Sequence, residues 1–344
     1  MSPLILIILA TTLTIGTTMT LNSSHWLLAW IGLEINMLAI VPLISMTHHP
    51  RATEATTKYF LAQAGASMLM LFSSTTNAWH TGTWDILLLT NPPACTMLTI
   101  ALCMKIGLAP MHVWLPEVMQ GTTLMMNLVL ATWQKLAPMS LLIMTMNSHP
   151  KLLVIMLAAT SIVVGGWGGL NQTQTRKILA YSSIANLGWM MIIITLMPKL
   201  TTMTLILYIL MVSTLITSLM PQDMKTIKNI STTWAISPPL TTIIMLTLTS
   251  MGGLPPLSGF MPKWLILEGL MENKLIYLAT MMAMATLLSL FFYLRLFYSS
   301  TLTISPNLTA TEHKWRQTLS NTTPTTIFTL PTLTLIPLMP LMLM

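Results

Sequence analysis

Charge is the scarcest commodity in this sequence: 7% of its 344 residues are Asp, Glu, Lys or Arg, against about 25% in a typical soluble domain. Fifteen Lys+Arg and eight Asp+Glu cannot wet the surface of a soluble protein of this length, so a water-soluble globule is excluded. Intrinsic disorder is excluded by the same composition, because 54% of the residues are hydrophobic and disorder needs low hydrophobicity with high charge. The two cysteines, Cys95 and Cys103, are too few for a disulfide framework or a Cys-rich metal site. Their separation along one apparent helix argues against pairing. The sequence also lacks a Walker motif, a dinucleotide-binding fingerprint and a CxxC. Redox chemistry therefore belongs elsewhere, and no metal or cofactor ligand set is expected here.

What is present is long apolar runs. They recur at 3–21, 25–45, 57–76, 96–116, 122–146, 151–170, 177–197, 201–220, 237–268, 275–298 and 325–343. Each is near the roughly 20 residues that a helix needs to cross a bilayer. The expected fold is therefore an all-α polytopic membrane protein of about eleven transmembrane helices. The remaining third of the chain is spread over short loops and leaves no room for a soluble domain. Methionine is abundant at 33 residues while Val, Gly and acidic residues are few. That bias resembles an organellar gene in which ATA is read as Met. The plainer reading is that Met fills helix surfaces. No cleavable signal or Arg-rich transit peptide is expected ahead of the first span.

Basic residues are distributed unevenly between alternate loops. With eleven crossings, loops and span ends on the N-terminal side carry Arg51, Lys58, Arg176, Lys177, Lys225, Lys228, Arg295, Lys314 and Arg316, whereas those on the other side carry Lys151, Lys199 and Lys274. The positive-inside rule puts the richer side in the compartment of synthesis. In a mitochondrion that compartment is the matrix, so the N-terminus is then expected in the matrix and the C-terminus in the intermembrane space. The net charge of +7 thus reflects topology and not a nucleic-acid surface; the lipid bilayer is the expected environment.

The remaining lysines, Lys105, Lys135 and Lys263, lie inside spans, as does Glu34. A buried ion in a membrane costs several kcal/mol unless it pairs or meets water, so each is a functional candidate by default. Glu34 sits ten residues into the second span, about 15 Å along the helix axis and therefore near mid-membrane. The plainer reading is a set of packed salt bridges, but four such residues in so uncharged a chain favour function. His112 falls two residues past Pro110 and can exchange protons near neutral pH, though a membrane His also serves as hydrogen-bonding glue. His25, His48, His49, His80, His149 and His313 fall at span ends or in loops, where a solvated or interfacial position is expected. The Gly165-Gly166-Trp167-Gly168-Gly169 run reads as tight helix packing, since no strand precedes it.

Two stretches are broken alike. The first runs Lys105-Ile-Gly107-Leu-Ala-Pro110-Met-His112-Val-Trp114-Leu-Pro116, the second Gly253-Leu-Pro-Pro256-Leu-Ser-Gly259-Phe-Met-Pro262-Lys263-Trp264. Both contain Gly-Leu-x-Pro, with another Pro six residues after its last Pro. Proline removes backbone donors and interrupts the helix. The broken spans are the fourth and the ninth, an odd number apart, so the two repeats are expected to be inverted in the membrane. Such pairs point to an ion path, because unwound helices expose backbone groups at the midplane. The expected organisation is one five-helix repeat over 1–147, a second over 148–300, and a loop with a C-terminal transmembrane helix over 301–344.

At these residues the sequence resembles the antiporter-like membrane subunits of mitochondrial respiratory complex I, NADH:ubiquinone oxidoreductase. The resemblance runs end to end. It includes Trp30-Ile-Gly-Leu-Glu34-Ile-Asn-Met-Leu-Ala39, Lys105 to Val118, Thr132-Trp-Gln-Lys135-Leu-Ala-Pro138, Leu170 to Ser183, and Gly252 to Trp264. It implies a proton-translocating module in the mitochondrial inner membrane, assembled with the other membrane subunits of that complex. NADH, FMN, iron–sulfur clusters and ubiquinone would be held by partner subunits. Glu34 would be the helix carboxylate that pairs with a lysine, and Lys105 and Lys135 the paired and central lysines. Lys263 would be the lysine of the second broken helix, so that protons pass along a Glu–Lys–Lys–His–Lys line. Met111 replaces an aromatic and Asn186 a frequent His, which argues against a relay role at 186. A stand-alone cation/proton antiporter of shared ancestry is the alternative.

Overall fold

A computed structural model describes residues 2–231, 233–301 and 323–334. Among the described residues the regular elements are helices, joined by turns and irregular links, and two isolated β-bridges, His25–Asp85 and Gln174–Thr226, are the extended pairing. In chain order the helices are α1 (Pro3–Asn22), α2 (Trp26–Ser45), α3 (Pro50–Thr81), α4 (Pro92–Ile106), α5 (Trp114–Gly121), α6 (Leu124–Ala131), α7 (Trp133–Met144) and α8 (Lys151–Gly169). There follow α9 (Thr175–Ile194), α10 (Pro198–Leu219), the short α11 (Ile227–Ser231) and α12 (Thr233–Ile236), α13 (Pro238–Gly252), α14 (Phe260–Glu272), α15 (Ile276–Thr301) and α16 (Thr323–Thr334).

Among the described residues six helices, α1, α2, α8, α9, α10 and α15, are individually long and apolar enough to cross a bilayer. With α3, the pairs α4/α5, α6/α7 and α13/α14, and α16, they follow the eleven apolar stretches of the sequence. Residues 335–343 of the last stretch, and His313, Lys314 and Arg316, lie outside the described residues. The fold is all-α and polytopic.

The chain forms two compact units, Met1–Ser161 with Ile194–Pro198, and Ile162–Ile193 with Lys199–Met344. The first unit is held by close backbone approach. Gly16 of α1 faces Gly32 of α2, and a Cβ on either would sit 2.8 Å from the other's carbonyl oxygen. Small residues let membrane helices approach this closely, where lipid supplies no hydrophobic drive. Leu13, Met37, Ile40, Ile44, Tyr59 and Val118 form a buried cluster beside them. Histidines end two loops here: His25 and His49 accept hydrogen bonds from the Leu27 and Arg51 amides as N-caps of α2 and α3, and His25 stacks on Trp84.

In the second unit the glycine run does pack as the sequence suggests. A Cβ on Gly165 would lie 2.7 Å from the Ala185 amide nitrogen of α9, and one on Gly169 would lie 2.7 Å from the Phe292 ring of α15. In the first unit Cys95 and Cys103 are both buried and unpaired.

Two features differ from the sequence expectation. The fifth span is not one helix but α6 and α7, interrupted at Thr132. There the Thr132 hydroxyl donates to the Leu128 carbonyl at 2.7 Å, and Pro138 within α7 leaves the carbonyl four residues back without its helical donor. His149 is also not solvated. It is 4% exposed and shares a 2.8 Å hydrogen bond with the Thr145 hydroxyl.

Candidate functional site: ammonium groups at two broken-helix ends

A helix leaves its last carbonyls without intrahelical donors, and in a membrane these groups must be satisfied inside the protein. The α4 end meets this demand one carbonyl at a time. Gly107 turns left-handed at φ 87°, a conformation glycine enters without steric cost. Its amide and that of Leu108 then donate back to the Cys103 carbonyl. The Trp114 indole, from the start of α5, donates to the Met104 carbonyl at 3.1 Å. The Gln63 amide of α3 donates to the Lys105 carbonyl at 3.2 Å. The last carbonyl, of Ile106, receives the Lys135 ammonium at 3.0 Å. Lys135 is 2% exposed, so its charge is held where the negative end of the α4 dipole favours a cation.

The second unit repeats this chemistry at α13. Gly253 turns left-handed at φ 81°, and Gly253 and Leu254 donate back to Ser250 and Thr249. The two remaining carbonyls, Met251 and Gly252, accept from the Lys263 ammonium at 3.2 and 3.0 Å. Any side chain at 253 would meet the Lys263 stem at 3.0 Å. Lys263 is half-buried and borders a cavity of about 560 Å³, shared with Trp189, Phe260, Trp264, Glu268 and Thr286. The cavity gives Lys263 an open flank.

The other candidates sit around the α4 end. Lys105, 6% exposed, occupies the last turn of α4. Glu34 of α2 interacts electrostatically with Lys105 and with Tyr59, but the described ion pairs do not include a Glu34–Lys105 contact. One Glu34 carboxylate oxygen is buried without a hydrogen-bond partner. Tyr59 donates to the Gln134 side-chain oxygen at 3.3 Å, which extends the polar cluster along α7 toward Lys135. His112 falls in the link between α4 and α5, half-buried, with Nδ1 3.2 Å from the Pro110 carbonyl. On the exposed rim Lys58 of α3 pairs with Glu54 and with Glu117 of α5, the latter at 2.6 Å.

Sequence reasoning missed Gln63, Trp114, Tyr59 and Gln134, which complete the α4 end and its surroundings. Their signal was available in part, because two glutamines within apolar runs are as unusual as two lysines.

Charged side chains closing the ends of broken membrane helices define the class: an antiporter-type membrane subunit. Residues 23–289 match the NADH:quinone oxidoreductase/Mrp antiporter transmembrane family, and residues 290–343 match the NADH dehydrogenase subunit 2 C-terminus family. NADH-ubiquinone oxidoreductase chain 2 of Carassius auratus is 56% identical over 96% of this chain and 95% of its own length. That of Gallus gallus is 52% identical over 96% and 95%. The chain belongs to the NADH-ubiquinone oxidoreductase chain 2 family. Among solved structures, a chain of respiratory complex I from Thermus thermophilus superposes with a TM-score of 0.86 at 24% identity, covering 97% of this chain and 78% of that one. A chain of the Mrp complex from Dietzia sp. DQ12-45-1b gives 0.87 at 15% identity, covering 97% and 75%. These two share the fold.

Proposed function

We propose that the chain is a core membrane subunit of respiratory complex I, translocating protons across the mitochondrial inner membrane while electrons pass from NADH to ubiquinone in partner subunits. The observation that carries this reading is the Lys135 ammonium on the last carbonyl of α4, with Lys263 in the same relation to α13. Two effects oppose each other at such a site. The helix end favours a cation, while removal from water disfavours one. A third charge arriving or leaving nearby can tip that balance, so a lysine can take up a proton and later release it.

In this reading Glu34 is the carboxylate whose charge acts on Lys105, and Lys105 and Lys135 are the proton-holding groups of the first unit. His112 exchanges protons at the α4/α5 link, and Lys263 serves the second unit. The five-helix repeats are 1–147 and 148–300, inverted in the membrane, followed by the loop and last helix over 301–344. The N-terminus faces the matrix and the C-terminus the intermembrane space, as the basic loops favour. Flavin, iron–sulfur clusters and the quinone are held by partner subunits, and the other membrane subunits of complex I are the binding partners.

A stand-alone cation/proton antiporter is not favoured, because the Mrp likeness rests on 15% identity while chain 2 relatives match above 50% over nearly the whole chain. The test is proton uptake by proteoliposomes containing the assembled complex, wild type against Lys135→Met and Lys263→Met. Loss of pumping with NADH, in particles that keep their full subunit complement, supports the reading. Unchanged pumping in both variants overturns it.

A further inference from the structure

The cavity beside Lys263 is larger than one ammonium needs. Its volume of about 560 Å³ falls within the roughly 300–1,000 Å³ of small-ligand sites. Phe260, Trp264 and Leu267 enter it from α14 at helical spacing, Ala283 and Leu290 from α15, and Trp189 from α9. All belong to the second unit. The Phe260 and Trp264 rings meet edge to face, 5.4 Å apart, yet Trp264 is 56% exposed, so the slot is open along one side. Glu268, five residues along α14 from Lys263, also lines it and closes the ninth apolar stretch of the sequence. The described ion pairs include neither Glu268 nor Glu272, the exposed carboxylate one turn further on. Like charges four apart on a helix repel, and a carboxylate at the lip of an apolar slot in a membrane demands a cation. The C-terminal end of α14 favours one as well. Lys263 does not supply it, because the Met251 and Gly252 carbonyls hold its ammonium. Lys274, just past the helix, is in none of the described pairs either.

We propose that this slot binds one acyl chain of an aminophospholipid, phosphatidylethanolamine, whose headgroup ammonium pairs with Glu268 at the mouth. Glu268 lies four residues ahead of the α14 terminus at Glu272, about 6 Å along the axis. That depth matches the polar headgroup zone of one leaflet, about 5–8 Å thick. The chain runs inward from there along Trp264 and Leu267 toward Phe260, and the second chain stays in the bilayer. Lys263 at the inner end repels the ammonium and so keeps the headgroup at the mouth. Headgroup choice follows from hydrogen bonding and charge. A primary ammonium donates up to three hydrogen bonds, a quaternary choline has no N–H to donate, and an anionic headgroup meets two carboxylates. A membrane helix of another subunit is too bulky to enter: at 10–12 Å across, ten helical residues fill roughly 1,200 Å³ or more, about twice the slot. The site is independent of the pumping role.

The test places the assembled complex in phosphatidylcholine nanodiscs that contain phosphatidylethanolamine with a photoreactive group on one acyl chain. Mass spectrometry of the wild type is expected to find label on the α14 and α15 peptides that line the slot. Glu268→Gln keeps the shape and deletes the charge, and labelling should fall by about threefold, the scale of one partly exposed ion pair. Ala283→Trp fills the slot and should abolish labelling. Excess unlabelled phosphatidylethanolamine should compete, and anionic phosphatidylglycerol should not. Absence of label in the wild type, equal label in wild type and Glu268→Gln, or equal competition by phosphatidylglycerol overturns the proposal. A cryo-EM map of the wild-type complex in the same discs gives a readout that needs no variant. Acyl-chain density between α14 and α15 supports the site, whereas an empty slot or side chains of another subunit filling it overturn it.

Discussion

The Lys135 ammonium donates to the carbonyl of Ile106 at 3.0 Å, across a sequence separation of 29 residues. It closes the end of α4 at the point where Gly107 turns the chain out of the helix. One side chain thus satisfies a backbone group and carries a buried charge. Its structural and chemical roles are separable by substitution, because a neutral side chain can replace the volume without replacing the charge.

Replacing Lys135 by Met is expected to leave the fold assembled but to depress coupled turnover at least tenfold. The Ile106 carbonyl loses its donor, at a cost of about 1–3 kcal/mol. Removal of the buried cation relieves a desolvation cost that offsets this. Subunit content by native electrophoresis and NADH-driven proton uptake check the two halves. Normal coupled activity in a fully assembled variant contradicts the relay role.

Much of this was readable from local chemistry. The breaks after Ile106 and Gly252 follow from Gly107, Pro110, Gly253 and the Pro255–Pro256 pair, residues whose backbone preferences act wherever they occur. The interruption at Thr132 was not readable, because its hydroxyl bond to Leu128 looks in sequence like any threonine within an apolar run. The lysines were found from their rarity, but their acceptors were not. Sequence gives depth along a helix axis without the neighbours around it. For that reason sequence suggests Glu34 as the carboxylate partner of Lys105 but does not give their separation; the described ion pairs contain no direct contact between them. His149 was misread because its partner Thr145 lies in the same turn of chain and folds it inward.

His149 lies in the link between α7 and α8, outside the spans, and burial pushes its imidazole from 6.5 down to about 4. Above pH 6.5 both folded and unfolded forms are neutral, so stability does not depend on this group. As pH falls below 6.5 the unfolded chain binds the proton first. Stability is then lost progressively until the folded group also protonates near pH 4. Thermal inactivation of the complex between pH 7 and 5 is expected to be steeper for wild type than for His149→Gln. Parallel profiles would show that the imidazole does not titrate in a buried site.

Gly165 allows α8 to touch α9, since a Cβ there would sit 2.7 Å from the Ala185 amide nitrogen and 2.9 Å from the Tyr181 carbonyl oxygen. Both obstacles are backbone and cannot rotate away. Gly165→Leu is expected to force the helices apart at a cost of roughly 1–3 kcal/mol or more, seen as reduced subunit accumulation and faster proteolysis. Gly65, which has nothing within 4 Å of its Cβ position, is the control. Gly65→Ala should accumulate normally, and equal losses at both positions would rule out steric packing as the cause.

Glu34 and Lys105 supply the sharpest test of the relay. They lie in the same unit, interact electrostatically and form no direct pair within the described ion pairs, while one Glu34 oxygen is buried without a partner. A carboxylate in that position favours the charged form of the lysine, and its loss lets burial favour the neutral form. Glu34→Gln keeps the shape and deletes the charge, so turnover is expected to fall, by about tenfold if the coupling is near 1.4 kcal/mol. Lys105→Met removes the other charge and should fall by a similar factor. With both removed, the second substitution takes away an interaction already lost, so the double variant should be less impaired than the product of the two single losses. Turnover and proton uptake across the four-member cycle, in complexes matched for subunit content, provide the measurement. Losses that multiply without any coupling would show that the carboxylate and the lysine act independently, and Glu34 would then leave the relay.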